Sequence, residues 1–363
     1  MNRLTSKIDR ARGFSLIELM VAMVIGLLIL AAVSTILVNS KKNYTTQDSL
    51  ARLQENARFT IQFLTRDIRM AGYYGCGHDI TKIATHLNSG SGFSFDFNNP
   101  LIGFDNINTA WYPAGTSPVL NPPMAPNTDA IAIRLLDTSS QIQLTSSMPQ
   151  PSSDLKLSSI AGLNVGDILM LTDCSGADLF QITNMNSSNL NVVHNTGTGT
   201  PGNAGKMSKP YSPPASVMKF NTLVYYIGIS PTTSSLTLYR QLLVTDPTSN
   251  IPAPQSQELV EGIENLQILY GKDTTGDRVA DIYLKAGDVG LQSAADWGNV
   301  VAVRIGILAS TLANSSVPGG NDKQFGTEVD TKSYTVNGYP VPAANDRRQR
   351  RVFTTTIIPR NLQ

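Results

Sequence analysis

A single carboxylate lies near the start of a long apolar stretch of this sequence. Between residues 14 and 38 Glu18 is the only charged side chain, and the twenty residues from Leu19 to Val38 carry no charge. A helix of about 20 apolar residues can cross the hydrocarbon core of a bilayer. An ionisable group inside a membrane is costly and calls for a partner. We therefore expect Glu18 to make a specific contact.

A second candidate for chemistry is the stretch KDTTGDRVADIY, in which Asp273, Asp277 and Asp281 surround Gly276. Acidic loops of this kind offer oxygen ligands to Ca²⁺. The spacing of an EF-hand is broken, because Thr275 replaces one acid and no Glu closes the loop. The pattern leaves two alternatives, a β-turn and a calcium site, and it favours the β-turn.

No group of residues has the spacing of a catalytic centre. The histidines His78, His86 and His194 lack metal-ligand spacing. The stretch GNAGKMS (202–208) lacks the upstream glycine and the Ser or Thr of a phosphate-binding loop. We therefore expect no enzyme activity, no cofactor and no metal centre built on these residues.

Four arginines, Arg347, Arg348, Arg350 and Arg351, precede a β-prone run near the C-terminus. Basic tracts can contact nucleic acid. Arginines beside a strand more often form a solvated edge that discourages pairing with other strands. The formal net charge is only +1, so no overall field attracts nucleic acid. We expect a solvated edge and no nucleic-acid partner.

The chain has two cysteines, Cys76 and Cys174. Charged residues make up only 15% of the sequence, and Ser, Thr, Asn and Gly are abundant, which is typical of exported β-rich proteins. An even and sparse set of cysteines suits one structural disulfide in an oxidising compartment. We predict that Cys76 and Cys174 form it.

Basic residues flank the apolar run on its N-terminal side. Arg3, Lys7, Arg10 and Arg12 stand there against one acid, Asp9. Such basic flanks remain cytoplasmic, so the chain after the apolar run is expected on the other side of the membrane.

The segment ARGFSLIELM resembles the processing signal of type IV prepilins: Gly13, then Phe14, a small residue, two aliphatic residues and Glu18. The resemblance implies that a prepilin peptidase removes the leader 1–13 on the cytoplasmic side, and that the new N-terminal Phe14 is N-methylated. The apolar helix then stays on the mature protein. It further implies that the Phe14 amine of one subunit meets Glu18 of its neighbour and fixes the stagger of adjacent helices.

The helix is predicted to continue beyond the membrane. Apolar residues recur every three or four positions, on one helix face: Leu50, Leu53, Ala57, Ile61, Leu64, Ile68 and Ala71. We predict one long helix, with a transmembrane and filament-core half at 14–38 and an amphipathic half at 39–74. Glycines at 72, 75 and 77 end it.

A β-rich periplasmic head is predicted at 75–363, because short β-prone runs alternate there with Pro, Gly, Asn and Ser clusters. The predicted strands are 129–136, 167–173, 179–185, 221–230, 235–244, 265–271, 299–310 and 350–360. We expect 90–128 and 195–216 to be mostly loop. They bracket a predicted inserted β-rich subdomain at 129–194, and an antiparallel sheet follows at 217–363.

Three C-terminal stretches resemble the PilW family of minor pilins: ELVEGIENLQILYG (258–271), DWGNVVAVRIGIL (296–308) and RRQRRVFTTTIIPRN (347–361). The resemblance implies an α+β, type IV pilin-like fold, with the long helix packed on an antiparallel β-sheet head. It also implies a minor pilin that primes or caps a type IV pilus near its tip. The large head, and the absence of a helix-kinking proline before Pro100, argue against a bulk filament subunit.

The same resemblance implies several partners: other minor pilins, a tip adhesin, the prepilin peptidase and the inner-membrane assembly platform. It places the protein in the inner membrane by a single helix before assembly and in the surface pilus afterwards. One alternative is a minor pseudopilin of a type II secretion system, since J-type members share the L-x-x-G-I-x-x-L pattern. Two others are a plain signal anchor, with Glu18 at the membrane interface, and an anchored periplasmic enzyme or binding module.

Overall fold

The structure is a computed structural model that describes residues 15–76, 83–88, 93–97, 99–107, 110–112, 118–139, 142–197, 199–312 and 329–362. These residues form two α-helices, α1 (Leu16–Arg69) and α2 (Ala294–Gly298), and nineteen strands. In chain order the strands are β1 Ile83–Thr85, β2 Leu101–Ile107, β3 Ala110–Tyr112, β4 Asp129–Leu136, β5 Ile142–Gln143, β6 Leu155–Lys156, β7 Ile168–Thr172, β8 Ala177–Gln181, β9 Asn184–Asn186, β10 Asn191–Val193, β11 Ser216–Ile229, β12 Leu236–Thr245, β13 Pro252–Glu261, β14 Ile263–Lys272, β15 Ile282–Leu284, β16 Val300–Ser310, β17 Tyr334–Val336, β18 Tyr339–Val341 and β19 Arg350–Ile357.

Helix α1 is the longest element, and its 54 residues span about 80 Å at the usual helical rise. Its N-cap is Ser15 and its C-cap is Met70. Gly72 follows with a φ of +72°. A left-handed residue just beyond the last turn commonly stops a helix. The local sequence therefore determines both ends of α1.

The two halves of α1 differ in burial. The large apolar side chains from Leu16 to Val38 are exposed in the isolated chain, and this half is long and apolar enough to cross a membrane. In the second half one face is buried, by Leu53, Ala57, Thr60, Leu64, Asp67 and Ile68. The second half therefore packs on the head, whereas the first half needs lipid or other helices around it.

A ten-stranded sheet, the larger sheet, forms most of the head. Its central strand β11 is long enough to have two sets of neighbours. Residues 220–229 pair with β4 and β12, whereas residues 216–219 pair with β5 and β7. Outside these neighbours, β2 and β3 extend the sheet beyond β4, β13 pairs with β12, and β8 and β1 extend it beyond β7. The pairing of β1 with β8 is parallel, and the other strand pairings named here are antiparallel.

A smaller antiparallel sheet, in the order β15-β14-β16-β19, completes the main core. Its strand β14 packs against β4, β11 and β12 of the larger sheet, and α1 packs against β13, β16 and β19. Side chains of α1 and both sheets share one core, which includes Leu64, Tyr225 and Ile305. The predicted α+β fold, with a long helix packed on an antiparallel head, is confirmed.

Strands β13 and β14 belong to different sheets, and the chain turns between them at Gly262. The φ of Gly262 is +78°, and a Cβ there would lie 2.7 Å from the carbonyl oxygen of Ser310. Glycine alone adopts this backbone freely and leaves room for the neighbouring strand. The glycine of the L-x-x-G-I-x-x-L pattern is therefore the corner between the two sheets.

The structure differs from the expected loop at 90–128, because β2 and β3 lie within that range. Strand β2 pairs with β4, so the larger sheet recruits a stretch whose sequence is rich in turn-forming residues. Non-local pairing has outweighed local preference here.

The predicted block 129–194 does not coincide with one packing unit in the structure. Strand β4 at its start lies between β2 and β11 and is buried along almost its whole length. A second core gathers side chains from Ile142 to Val217. A strand buried on both faces belongs to the centre of a sheet, so β4 is part of the larger sheet. The second core therefore begins after β4.

Candidate functional site

The N-terminal end of α1 is closed by reciprocal hydrogen bonds between Ser15 and Glu18. The Glu18 N–H donates to the Ser15 Oγ at 3.3 Å, and the Ser15 N–H donates to the Glu18 Oε2 at 2.9 Å. The Ser15 hydroxyl also donates to Oε2, at 3.0 Å. This capping box satisfies two N–H groups that a helix start leaves without partners. The Ser-x-x-Glu spacing alone predicts such a cap, a role of Glu18 that was not among the expectations above.

The second carboxylate oxygen of Glu18, Oε1, accepts no hydrogen bond from any residue that the structure describes. Glu18 is the only charged residue from Ser15 to Val38. Its side chain therefore keeps one acceptor for a group outside its own helix. The predicted cleavage site, Gly13 and Phe14, lies outside the described residues.

The structure joins Cys76 and Cys174 in a disulfide, the pairing expected from the sequence. Cys76 follows α1 closely, and Cys174 lies in the turn between β7 and β8. The two cysteines are 98 residues apart in sequence. The bond therefore links the end of the helix to the strands that contribute to the second core.

The acidic stretch around Gly276 forms a turn that uses its own carboxylates. Asp273 accepts hydrogen bonds from the N–H groups of Gly276 at 2.6 Å and Arg278 at 2.7 Å, and Asp281 accepts one from the Thr274 N–H at 2.7 Å. The Gly276 N–H holds the pKa of Asp273 below its ordinary value. In the described part of the chain, no three His, Cys, Asp or Glu side chains are grouped to hold a metal ion. Asp273 and Asp281 therefore bind N–H groups of their own loop.

The basic tract near the C-terminus is not uniformly solvated, which corrects the expectation for Arg350. The side chain of Arg350 is only 3% exposed. Its guanidinium donates to Glu264 at 2.6 Å and to both carboxylate oxygens of Asp346 at 2.6 and 2.7 Å. Asp346 is a neighbour in sequence, but Glu264 is 86 residues away, so the local run of arginines could not reveal this second partner. Arg350 therefore anchors β19 to the start of β14.

A buried acid pair, which nothing in the sequence pattern indicates, lies where the two sheets meet. Asp105 on β2 is directly opposite Asp129 on β4. The Asp129 Oδ2 accepts the Ile268 N–H of β14 at 2.6 Å, whereas its Oδ1 receives no N–H or hydroxyl donor from the described residues. Burial raises the pKa of Asp129 well above its ordinary value, and the charge of Asp105 raises it further. Burial also raises the pKa of Asp105. Burial and the neighbouring acid therefore favour a protonated Asp129.

Two of the three histidines lie in the described part of the chain, and both have structural contacts. His86 Nε2 lies 2.7 Å from the Asp178 Oδ1, and Ser208 donates its hydroxyl to the Asp178 Oδ2 at 2.8 Å. The carboxylate, not the imidazole, therefore binds the serine, so this cluster does not have the Ser–His contact of a nucleophilic site. His194 is buried and its pKa is lowered by that burial. His78 lies outside the described residues.

Two protein-family models match the chain. The model described as Type IV Pilus-assembly protein W matches residues 224–361, from within β11 to beyond β19. The model described as Prokaryotic N-terminal methylation motif matches residues 8–34, which include Gly13, Phe14 and Glu18. No curated protein and no solved structure matches the chain. The matches point to a structural protein and not to an enzyme, and they support a PilW-family type IV pilin.

Proposed function

We propose that this minor pilin primes or caps a type IV pilus near its tip, after the peptidase has removed the leader 1–13 and Phe14 has been N-methylated. The observation that carries the proposal is the half-occupied carboxylate of Glu18. One oxygen binds Ser15, and the other is left without a donor from the described residues. A buried ion without a partner costs several kcal/mol, so an apolar helix that keeps one gains a contact when helices pack around it.

The contact that we propose is with the α-amine of Phe14 in a neighbouring subunit. Cleavage after Gly13 frees this positively charged amine at the start of each processed pilin. When two such helices pack side by side, the Phe14 amine of one reaches the Glu18 carboxylate of the other at only one axial offset between the helices. The exposed apolar surface of the first half of α1 supports this role, because no described residue of the head covers it.

The head supports a position near the tip and not along the filament. It combines a ten-stranded sheet, a four-stranded sheet and a second core. A head of this size does not suit every position of a tightly packed lattice. The proposed partners are therefore other minor pilins and a tip adhesin, in addition to the prepilin peptidase and the inner-membrane assembly platform.

We propose that the head is periplasmic while the single helix holds the protein in the inner membrane, and that assembly then moves it into the surface pilus. The basic residues before the apolar run support this orientation. The disulfide fits the oxidising side of the membrane.

The test separates processing from assembly by replacing Gly13 and Glu18. Gly13→Leu is expected to leave an uncleaved precursor in the inner membrane, because a side chain obstructs approach to the peptide bond. Glu18→Ala is expected to be cleaved normally but to be strongly depleted from pili. Immunoblots of membrane and sheared-pilus fractions measure both effects.

Thr35→Ala is the matched control in the same half of α1. It removes a hydroxyl whose hydrogen bond, to the Ala31 carbonyl at 2.9 Å, stays within the helix. This variant should be cleaved and incorporated like the wild type. Normal incorporation of Glu18→Ala, or its accumulation as a precursor, would show that Glu18 does not have the proposed role.

A further inference from the structure

The side chain of Glu18 is held by its own helix before any neighbour arrives. Its Oε2 accepts both the backbone N–H and the hydroxyl of Ser15, at 2.9 and 3.0 Å. The hydroxyl also accepts the Glu18 N–H at 3.3 Å, so the two side chains bind each other and the helix start together. Glutamate has several rotatable bonds, and these hydrogen bonds restrict them.

The two carboxylate oxygens of Glu18 differ in their hydrogen bonds. Oε2 is occupied by the cap, whereas Oε1 takes no hydrogen bond from the described residues. An ammonium group that approaches the helix start therefore meets an oriented acceptor. Preorganising a charged side chain lowers the entropy that is lost when the contact forms. A helix dipole also favours a negative charge in the first turn.

We propose that Ser15 is the positioning residue for the assembly contact of Glu18: its hydroxyl and N–H hold one carboxylate oxygen, so that the other faces the incoming amine of a neighbouring subunit. This inference rests on the proposed function, because it assigns Ser15 a role in the same contact. Ser15 acts through Glu18 and need not touch the neighbour itself.

The cap has a second consequence inside a bilayer. In hydrocarbon, N–H groups at a helix start have no water to bind. The Ser15–Glu18 pair satisfies two of them within the subunit, which leaves only the carboxylate charge for a neighbour to neutralise. When a neighbour arrives, the amine uses the free oxygen and the cap stays closed.

Three substitutions of Ser15 separate positioning from simple helix capping. Ser15→Thr keeps the hydroxyl. Ser15→Gly removes it but remains a good N-cap, since glycine costs only a few tenths of a kcal/mol there, whereas alanine costs about 1 kcal/mol. Each variant is expressed as the full chain, and its amount in sheared pili is measured relative to its processed form in the membrane.

If Ser15 positions Glu18, both Ser15→Ala and Ser15→Gly should be incorporated at least about fivefold less than the wild type. Ser15→Thr should restore incorporation to within about twofold. All three should be cleaved normally. If Ser15 serves only as a helix cap, Ser15→Gly should resemble the wild type, which would overturn the inference. Accumulation of uncleaved Ser15→Ala and Ser15→Gly would also overturn it, because Ser15 would then act in processing.

Glu18→Ala, measured in the same experiment, distinguishes failure of this inference from failure of the proposed function. If Glu18→Ala is depleted from pili while Ser15→Gly is not, only the positioning role is wrong. If Glu18→Ala is incorporated normally, the proposed assembly contact itself is wrong, and the role of Ser15 is rejected with it.

Discussion

The carboxylate of Asp67, near the end of α1, accepts a hydrogen bond from the hydroxyl of Tyr225 in the central strand β11. Both residues are buried. The Arg66 Nε donates to the second carboxylate oxygen of Asp67 at 2.9 Å. An acid near a helix C-terminus is disfavoured by the helix dipole. Its presence there indicates that the bond to β11 outweighs this cost and sets the register of α1 on the larger sheet.

Replacing Tyr225 by Phe should destabilise the attachment of α1 to the head. The substitution leaves a buried carboxylate with one donor fewer, which costs about 1–3 kcal/mol. Chemical unfolding of the full chain in detergent measures the loss. Tyr226→Phe is the matched control, because Tyr226 is the adjacent buried tyrosine and donates to an uncharged partner, the Ser256 hydroxyl, at 3.0 Å. An equal or larger loss in the control would contradict the importance of the Asp67 bond.

The buried acid pair predicts that stability falls as pH rises. Burial raises the folded pKa of Asp129 above its unfolded value of about 3.9, so its contribution is complete below that pH and is lost as pH rises through the folded pKa. Tyr270 and Lys285 face the pair, and Asp288 lies near Asp105. Only Lys285 among these groups opposes the raised pKa.

Asp129→Asn should remove this pH dependence. An amide can accept the Ile268 N–H with its oxygen and donate to Asp105 with its nitrogen, without a proton to lose. We expect the variant to gain stability relative to the wild type as pH increases from 5, by about 1.4 kcal/mol for each pH unit at which Asp129 is ionised in the unfolded chain but still protonated in the folded one. Subtracting the two unfolding curves cancels the titrating groups that are remote from the pair, including His194. Asp48→Asn, an exposed control, should show no such difference, and a flat curve for Asp129→Asn minus wild type would contradict the protonation of Asp129.

The disulfide should contribute measurably to the stability of the head. A bond that closes a loop of this length is expected to contribute about 2–5 kcal/mol, chiefly by restricting the unfolded chain. The double variant Cys76→Ser, Cys174→Ser should lose this amount, and adding a reductant should then have no further effect on it. Thiol titration of unreduced, denatured wild-type protein should find no free thiols. Two reactive thiols would contradict the bond.

The corner at Gly262 should not tolerate a side chain. Gly262→Ala places a Cβ against the Ser310 carbonyl and also forces a left-handed backbone on alanine, which costs about 1–2 kcal/mol on its own. Gly276→Ala is the matched control, because Gly276 also has a positive φ but no atom near the added Cβ. Thermal unfolding should show a clearly larger loss for Gly262→Ala. Equal losses would mean that the approach of Ser310 does not matter.

Local patterns in the sequence predicted the main elements well. Apolar residues that recur every three or four positions indicated the second half of α1. Runs of β-branched residues indicated β4, β11, β14 and β16. Strand β13 was not predicted, because Pro252 and Pro254 are poor strand residues. The structure explains their presence, since β13 is an edge strand whose one partner among the described strands is β12. Proline is tolerated on such an edge because no outer strand needs its missing N–H.

Contacts between distant parts of the chain could not be predicted in the same way. The opposition of Asp105 and Asp129 depends on the register of β2 with β4, and the burial of Arg350 depends on acids such as Glu264 on another strand. No local pattern encodes either arrangement. Glu18 is the opposite case, because its isolation in an apolar run and its spacing from Ser15 are both visible in the sequence.

Whether this chain is processed and assembled as a pilin can be tested most directly by identifying its N-terminal residue after recovery from sheared pili. Mass spectrometry should find a peptide that starts at Phe14 and carries a methylated α-amine, and it should find no peptide from the leader 1–13. Such a peptide would show that the chain is cleaved, modified and assembled as a pilin. Absence of the chain from sheared pili, or its recovery only from membranes with the leader attached, would contradict the central claim.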